Sequence, residues 1–150
     1  MSTKKDKFSI KDKFYMDLAL DLARSREGLT GTNPSVGCVI VKHDKIISVG
    51  QTSFKGRPHA EVNAINNSVE DLNDATMYVT LEPCHMCAKA AVDARLSSII
   101  FATLEPKTGS IVSIDHFLDK KILNHSINYQ YGLMEEESSK LLKEFFQSRR

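Results

Sequence analysis

Apolar positions return along this chain in two ways, at a spacing near four residues and in short continuous runs. From about Lys11 to Arg26, Phe14, Leu18 and Leu22 recur at every fourth position, flanked by Tyr15, Ala19 and Ala23. That spacing predicts an amphipathic helix, with Gly28 as its stop. Val36–Val41 and Ile46–Val49 are short runs rich in β-branched residues, and His43-Asp44 between them predicts a hairpin turn. Gln51 to Pro58 is polar and reads as a loop. His59–Asn67 reads as a helix that can pack Ala60, Val62, Ala64 and Ile65. Thr76–Leu81 is a second strong strand running straight into Glu82-Pro83-Cys84, and proline is tolerated where a helix begins. Cys84–Arg95 then predicts a helix and Ser98–Ala102 a strand. Lys107–Ser110 is a turn, Ile114–Leu118 a short helix and Ile127–Tyr131 a last strand. Met134–Ser148 closes as an amphipathic helix carrying Leu141, Leu142, Phe145 and Phe146. Residues 1–10 are polar and expected to fray. Strands separated by helices imply β-α-β units with parallel neighbours, so the expected fold is α/β, a three-layer α/β/α domain over residues 1–150 with about five strands.

Composition narrows this little. A hydrophobic fraction of 41% and a charged fraction of 26% are those of an ordinary globular domain. The net charge of +1 predicts no global attraction to nucleic acid, so any such binding must come from local patches. No apolar run approaches the roughly 20 residues of a membrane span, and Met1–Lys13 lacks the apolar stretch of a secretory signal. Three cysteines, two of them in one C-x-x-C, suit a reducing compartment, and a cytoplasmic location is expected.

The chemistry concentrates in two short stretches, His59-Ala60-Glu61 and Pro83-Cys84-His85-Met86-Cys87. Thiols three residues apart share one face of a helix. One imidazole and two thiols make three zinc ligands and leave the fourth tetrahedral position for water, the arrangement of a catalytic rather than a structural site. Both stretches fall where helices are expected to start, and a thiolate is stabilised at a helix N-terminus. Residues two apart in a helical turn diverge by about 200°, so Glu61 is turned from the metal toward its water. Other readings exist for the parts. A lone C-x-x-C also occurs in redox pairs and zinc ribbons. His85, His116 or His125 could close a four-ligand structural site, which would make the chain a non-catalytic zinc-stabilised binding module. Cys38 reads as a small buried hydrophobe.

An H-x-E followed by P-C-x-x-C is the signature by which zinc nucleobase deaminases are recognised. Over residues 12–150 the chain resembles the cytidine deaminase superfamily. The resemblance implies one Zn²⁺ per subunit held by His59, Cys84 and Cys87, with Glu61 as the acid–base group, and a homodimer. Residues 15–84, with Asn33-Pro34-Ser35-Val36-Gly37 and Pro58-His59-Ala60-Glu61-Val62, resemble the riboflavin-pathway pyrimidine deaminase, which makes Asn33 a substrate contact. From Cys84 onward, Pro83-Cys84-x-x-Cys87-Ala88, Pro106-Lys107-Thr108-Gly109, Leu123-Asn124-His125 and a final helix ending in Phe145-Phe146 and Arg149-Arg150 resemble the bacterial tRNA adenosine deaminase. That half implies the tRNA anticodon loop as partner, with Asn124, Lys107, Phe145, Arg149 and Arg150 as substrate contacts and Lys143 beside them. Two departures stand out. Riboflavin-type enzymes usually insert several residues between their zinc cysteines. The tRNA family usually has Gly-Trp-Asn where this chain has Gly50-Gln51-Thr52. The expected reaction is hydrolytic deamination of the tRNA wobble adenosine to inosine. The alternative is a small riboflavin-pathway pyrimidine, or a free base or nucleoside such as cytosine or guanine.

Overall fold

The structure, a computed structural model, describes residues 7–148. In chain order the elements are α1 (Ile10–Arg24), β1 (Gly37–Lys42), β2 (Lys45–Gln51), α2 (Ala60–Asn67), β3 (Ala75–Leu81), α3 (His85–Asp93), β4 (Ser98–Thr103), β5 (Asn128–Tyr131) and α4 (Glu135–Gln147). One five-stranded sheet has the order β2-β1-β3-β4-β5.

Alternation along the central strands makes three layers. Cys38 and Ile40 of β1, Met77 and Val79 of β3, and Ile99 and Phe101 of β4 pack in one cluster with Ala60 and Ala64 of α2 and Ala88, Ala91 and Val92 of α3. Their alternates Val39, Val41, Tyr78, Ile100 and Ala102 pack on the other face with Phe8, Tyr15, Met16 and Ala19. A strand buried on both faces reads as a continuous apolar run, which is why these three were visible in the sequence.

The expectation of parallel neighbours holds across β3, β4 and β5, which pair in parallel. It fails at β1, which is antiparallel to both β2 and β3. The hairpin folds β1 inward, so α2 carries the chain from β2 over β1 to β3, two strands that share a direction without touching. His43 and Asp44 both adopt positive φ at the hairpin turn, the backbone hand that matches strand twist.

Three further expectations are corrected. The N-terminus is ordered from Phe8, which is 6% exposed, and Ser9 and Asp12 close a capping box on α1; residues 1–6 lie outside the described part. The buried face of α1 is Tyr15, Met16, Ala19, Leu20 and Ala23, while Phe14 is 58% exposed. Small residues win there because β1 runs so close that a Cβ on Gly37 would sit 1.8 Å from the Ala19 carbonyl oxygen. Finally, no α-helix forms over Ile114–Leu118; a single 3₁₀ turn occupies Phe117–Asp119. The amides just before it are committed elsewhere: those of Ile111, Val112 and Ser113 point at the Glu82 carboxylate, and that of Phe117 at the Ser110 carbonyl.

Candidate active site

The carboxyl end of β3 and the starts of α2 and α3 converge, as ligand sites on helix-flanked sheets tend to. His59 is the N-cap of α2 and Cys84 the N-cap of α3, both with extended backbone. Glu61 lies in the first turn of α2 and Cys87 in the first turn of α3. The sequence put these junctions in place because Pro58 and Pro83 precede the two stretches and neither can continue a ladder.

His59 Nδ1 is 3.6 Å from Cys84 Sγ and 3.5 Å from Cys87 Sγ. Zinc bonds of about 2.0–2.1 Å to nitrogen and 2.3 Å to sulfur, meeting at a tetrahedral angle, would hold N and S about 3.6 Å apart. The three donor atoms all lie within 4.8 Å of one another and form the one such cluster among the described residues. His85 is exposed and turned to Ser110 and Asp115, His116 neighbours Asp119, and His125 bonds the Leu96 carbonyl. None of the three joins the cluster as a fourth ligand.

The protonation pattern suits a donor set built for a cation. The Cys84 thiol is drawn down to about 4, first by a hydrogen bond from Cys87 and then, against the upward push of burial, by His59 and the Cys87 amide. Cys87 is pushed far upward, first by that same bond to Cys84, then by burial and by the Glu61 charge. Two thiols and a carboxylate cannot all ionise side by side without a positive charge between them. A divalent cation among these donors would remove that conflict. Glu61 itself is 4% exposed, and burial above all raises its carboxyl to about 7.

These groups open into a cavity of about 400 Å³. Asn33, Arg57, Lys107, Thr108 and Phe146 line it together with Glu61. Asn33 is fixed from behind: its Nδ2 donates to the Gly56 carbonyl at 2.9 Å. Gly56 has φ +96°, and a Cβ there would meet Asn33 Nδ2 at 2.8 Å. Thr52 also reaches the wall, but its hydroxyl accepts from the Val36 amide at 2.9 Å and donates toward the Pro34 carbonyl at 3.3 Å. That hydroxyl braces the loop and has little left to offer a base. Asn63 of α2 ties down the polar loop, donating to the Gln51 carbonyl and to Ser53.

The remaining expected contacts divide. Lys107 is exposed on the cavity rim. Asn124 stands apart, accepting from Arg95 through both its carbonyl and its Oδ1. Phe145 faces a neighbouring cleft with Leu141 and Leu142, and it is Phe146 that enters the cavity. Arg149 and Arg150 lie outside the described residues. Arg57, Thr108 and Glu82 belong to the cavity wall and were not singled out from the sequence.

A family model, the cytidine and deoxycytidylate deaminase zinc-binding region, matches residues 9–103. The chain belongs to this family. Among curated deaminases, the diaminohydroxyphosphoribosylamino-pyrimidine deaminase of Buchnera aphidicola subsp. Schizaphis graminum is 37% identical over 147 residues, covering 94% of this chain and 97% of that one. The tRNA-specific adenosine deaminase of Aquifex aeolicus is 40% identical over 124 residues, covering 77% and 82%. The riboflavin biosynthesis protein RibD of Aquifex aeolicus is 40% identical over 144 residues, 90% of this chain, which spans 38% of that protein. A solved structure from work on A-to-I editing by tRNA:A34 deaminases superposes with a TM-score of 0.73 at 31% identity, covering 85% of this chain and 98% of that one. In this deaminase family, zinc is the metal that the donor set and its spacing fit.

Proposed function

We propose that this chain hydrolyses the exocyclic C–N bond of a nucleobase, and that its substrate is the wobble adenosine of a tRNA anticodon loop. The observation that carries the reaction is the juxtaposition of one imidazole and two thiols at zinc spacing with a buried carboxylate that lines the same cavity. His59, Cys84 and Cys87 would hold the metal, and zinc when bound supplies Lewis acidity that brings the pKa of a water to about 7. Glu61 carries the protons. Its carboxylate takes one proton from water and passes it to the ring nitrogen. It then takes the second from the hydroxyl newly joined to the ring carbon and passes it to the amine, which leaves as ammonia while the carbon–oxygen double bond forms. Such a role is worth typically about 10²–10⁴-fold. Asn33, fixed by Gly56, presents an amide edge to the base. Phe146 gives an aromatic face for stacking.

The choice of tRNA adenosine is supported by the two-residue gap between the zinc cysteines and by a C-terminal helix that delivers Phe146 to the cavity. A base held in a cavity of this size must be splayed from its stack. Lys107 and Arg57 on the rim can meet the phosphates, joined in this reading by Lys143, Arg149 and Arg150. Two observations favour the small pyrimidine as a second reading. Asn33 sits in the wall with its amide pre-oriented, and Thr52 has its hydroxyl consumed where the tRNA family reads the base with an asparagine. A homodimer belongs to the same proposal, and sedimentation of the zinc-loaded protein tests it.

The deciding experiment incubates zinc-loaded protein with a transcribed tRNA anticodon stem-loop and, separately, with the diaminohydroxyphosphoribosylamino-pyrimidine, and assays inosine and ammonia. Inosine supports the first reading. Ammonia from the pyrimidine alone replaces it with the second, and the absence of both products, with cytosine, guanine and their nucleosides also unreactive, overturns the deaminase reading.

A further inference from the structure

A second carboxylate, Glu82, lies at the end of β3 two residues before the first zinc cysteine, and it is 3% exposed. Its surroundings differ from those of Glu61. Oε1 accepts from the Glu105 amide at 3.0 Å and from the Ser113 hydroxyl at 2.5 Å. Oε2 accepts from the amides of Ile111, Val112 and Ser113 at 3.1, 2.7 and 2.9 Å. A carboxylate offers about four lone-pair sites. Five donors fill them, so Glu82 has no capacity left for a metal, a proton in transit or a base.

All five donors come from one segment, the connection after β4 that runs past the cavity and supplies Lys107 and Thr108 to its wall. The same segment is laced to the zinc-ligand stretch on either side. The Glu82 amide donates to the Thr103 carbonyl at 2.9 Å and the Ser110 amide to the Pro83 carbonyl at 2.9 Å, while Cys84 and Gly109 form an isolated bridge. Gly109 is needed for the approach: a Cβ there would lie 2.3 Å from the Glu82 carboxylate. The loop therefore has no regular secondary structure of its own at this point, and one buried anion organises it.

Resting on the deaminase reading, we infer that Glu82 is a positioning residue for substrate, holding the Glu105–Ser113 segment so that Lys107 and Thr108 form a fixed wall of the catalytic cavity. It acts through that loop and not on the metal or the reacting atoms. A carboxylate is required rather than an amide. Gln at 82 would turn an NH₂ toward backbone N–H groups, setting donor against donor.

The test is Glu82→Gln in the zinc-loaded protein, with Ser113→Ala as a milder variant that removes only the hydroxyl donor. The substrate is whichever of the tRNA stem-loop and the diaminohydroxyphosphoribosylamino-pyrimidine the wild type turns over. We expect KM to rise about tenfold or more in Glu82→Gln with kcat falling less than about threefold, and a smaller rise in KM for Ser113→Ala. Zinc should remain at wild-type stoichiometry, and the amides of Ile111, Val112 and Ser113 should exchange with solvent about tenfold faster or more. Unchanged KM in a folded Glu82→Gln overturns the inference, as does a fall in kcat or zinc content without a change in KM. If Glu82→Gln does not fold, Ser113→Ala decides: a raised KM at constant kcat supports the inference and an unchanged KM overturns it. A wild type that releases no ammonia from either substrate, nor from cytosine, guanine or their nucleosides, is a different failure, since it overturns the deaminase reading itself.

Discussion

Two glutamates, twenty-one positions apart in the sequence and both nearly out of solvent, have opposite assignments because of what surrounds them. Glu61 lies among the metal donors and faces the cavity, and burial lifts its carboxyl to about 7. Around Glu82, burial also pushes upward, but the Ser113 hydroxyl and the amides of Ser113, Val112 and Glu105 overcome it and hold the group below the usual carboxylate range. The same residue type is therefore a fixed acceptor in one place and, in the proposed reaction, a proton carrier in the other. Replacing Glu61 with alanine should leave zinc bound and lower turnover by about 10²-fold or more, read as ammonia release against zinc content. Ammonia release at the wild-type rate would sink the role. Cys87, 1% exposed and on the buried side of the cluster, should be the ligand whose replacement by serine costs most metal, measured by zinc retention after dialysis against a weak chelator.

At the scale of elements, the site is held by how closely two helices lie on the sheet. A Cβ on Gly50 of β2 would come within 2.3 Å of the Ala60 carbonyl and 2.5 Å of the Ala64 amide. Glycine there lets α2 seat its first turn, and with it His59 and Glu61, against the sheet. Gly50→Ala should destabilise the fold by about 1–3 kcal/mol through overpacking, visible as a lower urea midpoint. Because the strain falls on α2, zinc affinity should drop with it; full zinc affinity in a destabilised variant would show that α2 is not what holds His59. The elements also mark how far pattern reading reaches. The runs in β1, β3 and β4 were legible because both faces are buried. The short β5 was recognisable by its β-formers. Ile114–Leu118 looked helical from its apolar spacing alone, and lost that structure to competitors no local pattern contains: a carboxylate about thirty positions upstream takes the amides of the three residues before it, and the Gly109 and Ser110 carbonyls take those of Ile114 and Phe117.

For the molecule as a whole, the two faces of the sheet carry separate duties. One face, with α2 and α3, brings the metal donors together; the other is closed by α1 and by the contact of Tyr78 with Asp12. The Tyr78 hydroxyl donates to Asp12 Oδ1 at 2.6 Å, and Asp12 also serves the capping box of α1. Burial first, and then this bond to a carboxylate, raise the Tyr78 phenol well above its ordinary 10.0. A folded-state pKa above the unfolded one means the stabilisation is complete below about pH 10 and is lost as pH rises beyond it. Urea midpoints should accordingly fall above about pH 10, and Tyr78→Phe should flatten that alkaline limb while costing about 1 kcal/mol at neutral pH. Equal alkaline slopes in the two proteins would count against this account. On the opposite face, zinc should couple α2 to α3. At a free zinc concentration about 100 times its Kd, binding adds about 2.7 kcal/mol to stability, which for a chain of this size is a fall of roughly 5–10 °C in Tm on chelation.

The residues alone determined the metal donor set and the carboxylate beside it, because ligand type and spacing are local: His59, Glu61, Cys84 and Cys87 lie in two short stretches, each starting a helix. They determined the layers as well, since the continuous apolar runs of β1, β3 and β4 mark strands buried on both faces. Tertiary structure alone decided that β1 lies between β2 and β3, that Phe146 and not Phe145 enters the cavity, that Asn124 pairs with Arg95 away from it, and that Glu82 gathers five donors. Each of these depends on which distant backbone groups meet once the chain is folded, and a hydrogen bond between positions thirty apart leaves no period for the sequence to reveal.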